Sequence, residues 1–138
     1  MLDCLFCKII ARQVPAQVVY EDGRAFAFLD IMARAPGHTV VVPKGHASDL
    51  IALSDSELAS LFAAVRKVDQ ILLSALAPDG MTIGVNQGKA SGQEIDHLHV
   101  HLMPRWHGDG GGAIQSVVHN APKESLEETK KKILENSN

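Results

Sequence analysis

Leu58, Leu61, Phe62, Val65, Val68, Leu72 and Leu76 recur at helical spacing along the middle of the chain, which places an apolar stripe along a helix. Ser54 and Glu57 precede this stripe with the spacing of a capping box, and Pro78-Asp79-Gly80 ends it. The sequence therefore predicts a helix over residues 55–76. The flanking segments are shorter and richer in β-forming residues. Residues 18–21 and 25–30 read as strands around the turn signal Asp22-Gly23, and the β-branched run 39–42, between Gly37 and Pro43, as a buried strand. Residues 81–86 and 97–103 read as two more strands, joined by a polar loop that contains Gly88 and Gly92. A short helix is predicted over 5–11, ahead of Pro15, and Ser125 with Glu128 signals the start of a C-terminal helix that ends near Glu135. Strands, one long helix and strands again describe an α+β fold with a mostly antiparallel sheet, and 138 residues suffice for a single domain.

Composition narrows the function. Thirteen Lys and Arg against sixteen Asp and Glu leave a formal charge of −3, and aromatic residues make up only 4%. A nucleic-acid binder would show a basic surplus or stacking aromatics, so no nucleic-acid partner is expected. No run approaches the roughly 18 apolar residues of a membrane span, and the first ten residues carry acidic Asp3 with no basic region ahead of an apolar stretch. Neither a membrane partner nor a secretory leader is expected. The two cysteines, Cys4 and Cys7, are too close in sequence for a useful structural staple. They read as metal ligands, a redox pair or two buried thiols, in a cytoplasmic protein.

The chemistry concentrates in Asp96-His97-Leu98-His99-Val100-His101-Leu102-Met103. Strand alternation sends His97, His99 and His101 to one side, and Leu98, Val100 and Leu102 to the other. The apolar row can anchor the strand against the long helix and leave the imidazoles facing a cleft. Such a row can hold zinc with an open coordination position, or supply a neutral imidazole that attacks a phosphorus or carbonyl centre. The preceding loop, Gly88-Lys89-Ala90-Ser91-Gly92-Gln93, offers backbone N–H groups suited to an anion.

Together these residues resemble the histidine-triad (HIT) family, whose motif alternates three histidines with apolar residues and is matched at each position from His97 through Met103. The likeness extends to Phe28-Leu29-Asp30-Ile31, Pro36-Gly37-His38-Thr39-Val40-Val41-Val42-Pro43-Lys44 and Gly92-Gln93, in family order over nearly the whole chain. It implies a homodimeric enzyme acting at the α-phosphorus of nucleoside 5'-monophosphate derivatives. By this resemblance His99 is the nucleophile that accepts the nucleotidyl group, with its Nδ1–H held by an acceptor such as a backbone carbonyl. His101 assists proton transfer, while Gln93 and the Gly92 backbone contact phosphate. Asn86 touches ribose or phosphate, and Asp30 accepts from ribose hydroxyls. Phe6, Ile9, Phe28, Leu29 and Ile31 line the nucleoside pocket, and His38 supports the nucleophile from behind. The resemblance also implies a structural zinc held by Cys4, Cys7, His46 and His97, with no metal required for the chemistry.

Glu94 stands where eukaryotic phosphoramidases of this family carry Ser. Near the leaving group its charge would disfavour polyphosphates and tolerate a protonated amine; strand alternation could equally turn it toward solvent. Phosphoramidates, dinucleoside polyphosphates and nucleotidyl sulfates all present the same α-phosphate. Two other functions are compatible with the residues. One is a mononuclear metallohydrolase with the histidine row as ligands and Asp96 as candidate base, and the other is a nucleotide-binding module without turnover.

Overall fold

A computed structural model describes residues 3–137. Five strands form one antiparallel sheet: β1 (Val18–Glu21), β2 (Ala25–Leu29), β3 (Thr39–Pro43), β4 (Gly80–Gly84) and β5 (Val100–Arg105), in the order β1-β2-β3-β5-β4. The helices are α1 (Leu5–Ile10), α2 (Asp55–Leu76) and α3 (Leu126–Asn136). This is the expected α+β architecture. Helix α2 occupies its predicted span because both halves of the capping box form. The Ser54 hydroxyl accepts from the Glu57 N–H at 3.2 Å, and the Glu57 carboxylate accepts from the Ser54 N–H at 2.9 Å.

The two faces of the sheet bury different things. Ala25, Ala27, Val41, Leu98, Val100 and Leu102 pack against Leu61, Ala64, Val65, Val68 and Leu72 of α2. On the other face Phe26, Phe28, Val40 and Val42 pack against Phe6 and Ile9 of α1. A six-residue helix covers only part of a five-stranded sheet. The histidines project from this same face, His101 pairing in register with Val40.

Two strand bounds differ from expectation. β5 starts at Val100 rather than His97, because the ladder with β3 ends at Val41 opposite Val100 and the Leu98 N–H turns to the Ala47 carbonyl at 2.6 Å. Residues 97–99 keep the alternation of side chains while leaving the ladder. β4 spans Gly80–Gly84 instead of 81–86 and stops opposite His101. Gly37 turns the chain into β3 with φ +82°, and a β-carbon there would meet the Leu76 side chain and come within 3.3 Å of Pro104.

Beyond β5 the chain is tied back by the His107 N–H, which donates to Asp79 Oδ2 at 2.8 Å, and by Arg105. The Arg105 guanidinium donates from Nε and Nη2 to both Asp109 carboxylate oxygens, at 2.7 and 3.0 Å, and from Nη1 to the Gly112 carbonyl at 2.7 Å. Residues 113–137 then run over the outside, and α3 has no buried residue. No helix among the described residues is long and apolar enough to cross a membrane.

Candidate active site and metal cluster

His97 is fully buried, and its ring is oriented by the backbone. Its Nε2–H donates to the Pro43 carbonyl at 2.8 Å, which leaves the Nδ1 lone pair facing Cys4 Sγ at 3.3 Å and Cys7 Sγ at 3.6 Å. His46 Nδ1 lies 3.5 Å from Cys7 Sγ, and the four ligand atoms all fall within 4.8 Å of one another. A tetrahedral zinc with Zn–S of about 2.3 Å and Zn–N of about 2.05 Å places its S and N ligands about 3.6 Å apart. The donor types and the measured edges both fit that ion. Cys4 has a second task as the N-cap of α1, its sulfur accepting from the Cys7 N–H at 3.2 Å. Burial and the neighbouring Cys4 thiol push the Cys7 thiol up to about 11. The metal-free Cys7 thiol therefore holds its proton, and a metal that takes the sulfur displaces it.

The other histidines are fixed with equal definiteness. His99 Nδ1–H donates to the His97 carbonyl at 2.7 Å, so Nε2 carries the lone pair and has no hydrogen-bond partner among the described residues. The Phe6 ring stands edge-on to the His99 ring at 5.1 Å. For His101 the order starts at Arg34, whose backbone N–H donates to His38 Nδ1 at 3.0 Å. A backbone N–H can only donate, so neutral His38 carries its proton on Nε2. That proton is donated to His101 Nδ1 at 2.9 Å. His101 must then carry its own proton on Nε2, as a donor beside His99, the two ring centroids being 4.9 Å apart. His38 thus supports His101, where the sequence placed it behind His99. The side chain of Asp30 approaches the same pair, with Oδ2 at 3.6 Å from His38 Nε2 and Oδ1 accepting from the Met32 N–H.

Burial pushes His101 down to about 4, with the adjacent His99 and His38 opposing a further positive charge. His38 is also lowered by burial, against the pull of Asp30. Both rings are neutral at pH 7, as the tautomer order requires. A histidine titrating near 6.5 when unfolded and near 4 when folded makes the unfolded state bind more protons between those values. Its stabilisation is present in full above pH 6.5 and is lost as pH falls toward 4. After discounting for the partial exposure of the ring, the loss by pH 4 is on the order of 2 kcal/mol. Urea unfolding midpoints at pH 7 and pH 5 should show the decline, and a His101→Gln protein should show a shallower one; equal slopes in the two proteins would remove His101 as the cause.

The loop before the triad is braced internally. The Gln93 amide donates from Nε2 to the Ser48 and Ile95 carbonyls, at 2.9 and 3.1 Å, and accepts from the Gly88 N–H at 2.9 Å. Both of its N–H groups are engaged by backbone, so Gln93 shapes the loop in this conformation. The Gly92 N–H is likewise engaged, by the Lys89 carbonyl at 3.0 Å. Asn86 is exposed, with its amide carbon and nitrogen behind Gly92. Phe6, Ile9 and Phe28 are buried as the floor beneath the histidines; Leu29 is half-buried, and Ile31 is 94% exposed at the rim. Glu94 is exposed and lines a cavity of about 630 Å³ with Asp3, Cys4, Leu5, His46, Ile95 and Asp96. The three triad rings do not converge on one point. His97 faces the cysteines, His99 the His97 carbonyl and His101 the His38 ring.

The backbone partners in this arrangement, Arg34, Pro43 and Ser48, were not singled out in the sequence. They act through an N–H, which every residue type but proline supplies, and two carbonyls, which all supply, so their identity carries almost no signal.

A family model described as the HIT domain matches residues 11–108. An uncharacterised HIT-like protein of Methanocaldococcus jannaschii is 47% identical over 107 residues, covering 78% of this chain and 82% of its own. Among solved structures, a zinc-bound histidine-triad family protein from Mycobacterium smegmatis superposes with a TM-score of 0.74 at 31% identity, covering 94% of this chain and 89% of that one. A histidine-triad nucleotide-binding protein from Candida albicans superposes with a TM-score of 0.81 at 26% identity, covering 96% and 94%. The alternating histidines, the sheet that presents them and the matched span agree: the chain belongs to the histidine-triad (HIT) family.

Proposed function

We propose that the protein hydrolyses or transfers nucleoside 5'-monophosphate groups through a covalent nucleotidyl-His99 intermediate. The observation that carries this reading is the 2.7 Å hydrogen bond from His99 Nδ1 to the His97 carbonyl, which leaves Nε2 as a free nucleophile beside the Nε2–H of His101. In the first step the His99 Nε2 lone pair attacks the α-phosphorus and forms a P–N bond, while the bond from phosphorus to the leaving group breaks. The His101 Nε2–H donates a hydrogen bond to the departing atom and stabilises the charge that develops there, and the leaving group takes its proton from solvent as it separates. Water then attacks phosphorus and loses a proton to solvent, the P–N bond breaks, and the His99 Nε2 lone pair is restored as the nucleoside monophosphate leaves. In this reading Asp30 accepts from ribose hydroxyls. In the same reading Leu29 and Ile31 rim a base site floored by Phe6, Ile9 and Phe28, Asn86 contacts ribose or phosphate, and the backbone-engaged Gly92–Gln93 pair shapes the loop beside it. Phosphoramidates and dinucleoside polyphosphates both fit this scheme. The Candida albicans neighbour's description as nucleotide-binding supports a nucleotide ligand.

Intact-mass spectrometry after brief exposure to an adenosine phosphoramidate tests the reading. Wild type should gain one adenylyl group and His99→Ala none. A variant that still acquires the adduct, or a wild type that turns over with no adduct under rapid quench, sinks the covalent route; binding without turnover would mark a nucleotide-binding module.

Zinc fits the Cys4, Cys7, His46 and His97 donors, and there it would fasten the N-terminus to the sheet as a structural ion. Elemental analysis of protein prepared without chelator should find about one zinc per chain. Metal-free protein of equal stability would leave two buried thiols as the better description.

The protein is further proposed to act as a homodimer in the cytoplasm, where a reducing milieu keeps the free cysteines available to metal. Phe62, Leu73 and Leu76 of α2 are each about 40% exposed, and Leu126, Ile133 and Leu134 of α3 are 61–81% exposed. A second copy of the chain would cover such surface. Sedimentation at low micromolar concentration should give twice 14.8 kDa, and a lone 14.8 kDa species would refute the dimer.

A further inference from the structure

We propose that metal occupancy of the Cys4–Cys7–His46–His97 cluster sets the orientation of His99, with His97 as the positioning residue between them, so that the cluster controls the chemistry as well as fastening the N-terminus. The inference rests on the reading of His99 as nucleophile.

His97 is held at three places, each with a different partner. Nδ1 faces the two cysteine sulfurs, Nε2 donates to the Pro43 carbonyl, and the backbone carbonyl accepts from His99 Nδ1. The ring is completely buried, so it has no solvent-facing rotamer to relax into. A metal on Nδ1 fixes the ring and, through one residue of backbone, the carbonyl that determines which nitrogen of His99 is free. Without the metal, the Nδ1 lone pair faces two cysteine sulfurs at 3.3 and 3.6 Å with no coordinate bond to hold the ring.

A second connection runs in parallel. Helix α1 carries the cysteines at its start, and Phe6 lies between them in sequence. The Phe6 ring stands edge-on to both His97, at 6.0 Å, and His99, at 5.1 Å. Six residues are too few for a helix to persist by its own hydrogen bonds. α1 depends on burying Phe6 and Ile9 and on whatever holds Cys4 and Cys7. The metal that ties those cysteines therefore also seats Phe6 against the nucleophile.

The cluster is also reachable. Cys4 and His46 line the 630 Å³ cavity, and Asp3, Glu94 and Asp96 give its mouth a negative potential that favours cation entry. An ion bound there can exchange with its surroundings, and each exchange is registered at His99.

The test reads the His99 ring directly, without substrate. In the full chain with ¹⁵N-labelled histidine, zinc-loaded protein should show a slowly exchanging His99 Nδ1 proton and two well-separated ring ¹⁵N resonances. Removing zinc with a chelator, with loss verified by elemental analysis, should make that proton exchange at least tenfold faster and draw the two nitrogen signals together. In parallel kcat should fall about tenfold or more, the range seen when groups supporting a metal site are altered. Cys4→Ser keeps an oxygen to cap α1 and loses the ligand, so it should behave as chelated protein. Cys4→Asp supplies both a cap and a ligand and should restore the zinc-loaded signals. Unchanged His99 signals in protein shown to be metal-free and folded would overturn the proposal. If metal-free protein does not stay folded, exchange of zinc for the larger cadmium ion provides the same reading, and His99 signals that do not move with the ion overturn it. Wild-type turnover in His99→Ala would instead refute the covalent reading, a result distinct from any change in the ring signals.

Discussion

Replacing His99 by alanine should lower kcat/KM for a nucleoside phosphoramidate by about 10,000-fold, with the affinity for the product nucleotide changed only a few-fold. The magnitude follows from what is removed. In nucleophilic catalysis the attacking group converts one difficult displacement into two easier ones, and deleting it leaves only positioning and charge stabilisation, with losses of about four to six orders of magnitude. Binding should survive because the proposed pocket does not depend on the His99 ring. Phe6, Ile9 and Phe28 are packed into the core with Phe26, Val40 and Val42, and Asp30 is held by the Met32 N–H. Truncating His99 frees the His97 carbonyl and leaves a small void beside Phe6, a local defect in a protein whose main core lies on the opposite face of the sheet. Pre-steady-state kinetics with product-inhibition constants would separate the two effects. Turnover within about tenfold of wild type would exclude His99 as the nucleophile, and a parallel loss of product binding would show that the ring builds the pocket.

Much of the architecture can be read from local pattern, because local pattern is what forms it. The α2 span is set by the Ser54–Glu57 box and the apolar stripe, all within the helix or one residue outside it. The faces of the histidine strand follow from alternation, which persists even where residues 97–99 leave the ladder. The site was less legible, for a physical reason. Which nitrogen of each ring is free depends on backbone groups far along the chain, such as the Pro43 carbonyl 54 residues from His97. His38 and His101 are 63 residues apart, and β3–β5 register alone brings them to 2.9 Å. Their partnership is invisible until the strands are paired, which is why His38 was expected behind His99. Gln93 shows the same limit. A Gly-Gln pair in a glycine-rich loop reads as an anion contact, and only the folded loop shows its amide tied to Ser48, 45 residues away.

His38 offers the second large effect. His38→Leu should reduce kcat about a hundredfold while KM changes little, and His38→Gln should recover most of that loss. The Arg34 N–H fixes His38 Nδ1 as an acceptor, so His38 Nε2–H is the donor that keeps His101 Nδ1 free of a proton and leaves the His101 proton on Nε2. Leucine removes that donor. His101 can then take the other neutral tautomer, with its proton on Nδ1 and a lone pair facing the leaving group, where a hydrogen-bond donor is needed. An imidazole in the wrong tautomer is costly even when its position is unchanged, as with the aspartate-to-asparagine change in a serine protease triad. Glutamine can supply both halves of the original pair, its oxygen accepting from the Arg34 N–H and its amide donating to His101 Nδ1. Leucine also leaves the Arg34 N–H without an acceptor, which costs about 1–3 kcal/mol of stability, so melting curves must accompany the kinetics. The decisive comparison is between the two variants as folded proteins. Glutamine restoring kcat where leucine does not identifies the hydrogen-bond order from Arg34 to His101 as the cause. Equal kcat in the two variants would mean that His38 acts by filling space, and the proton assigned to His101 would need another origin.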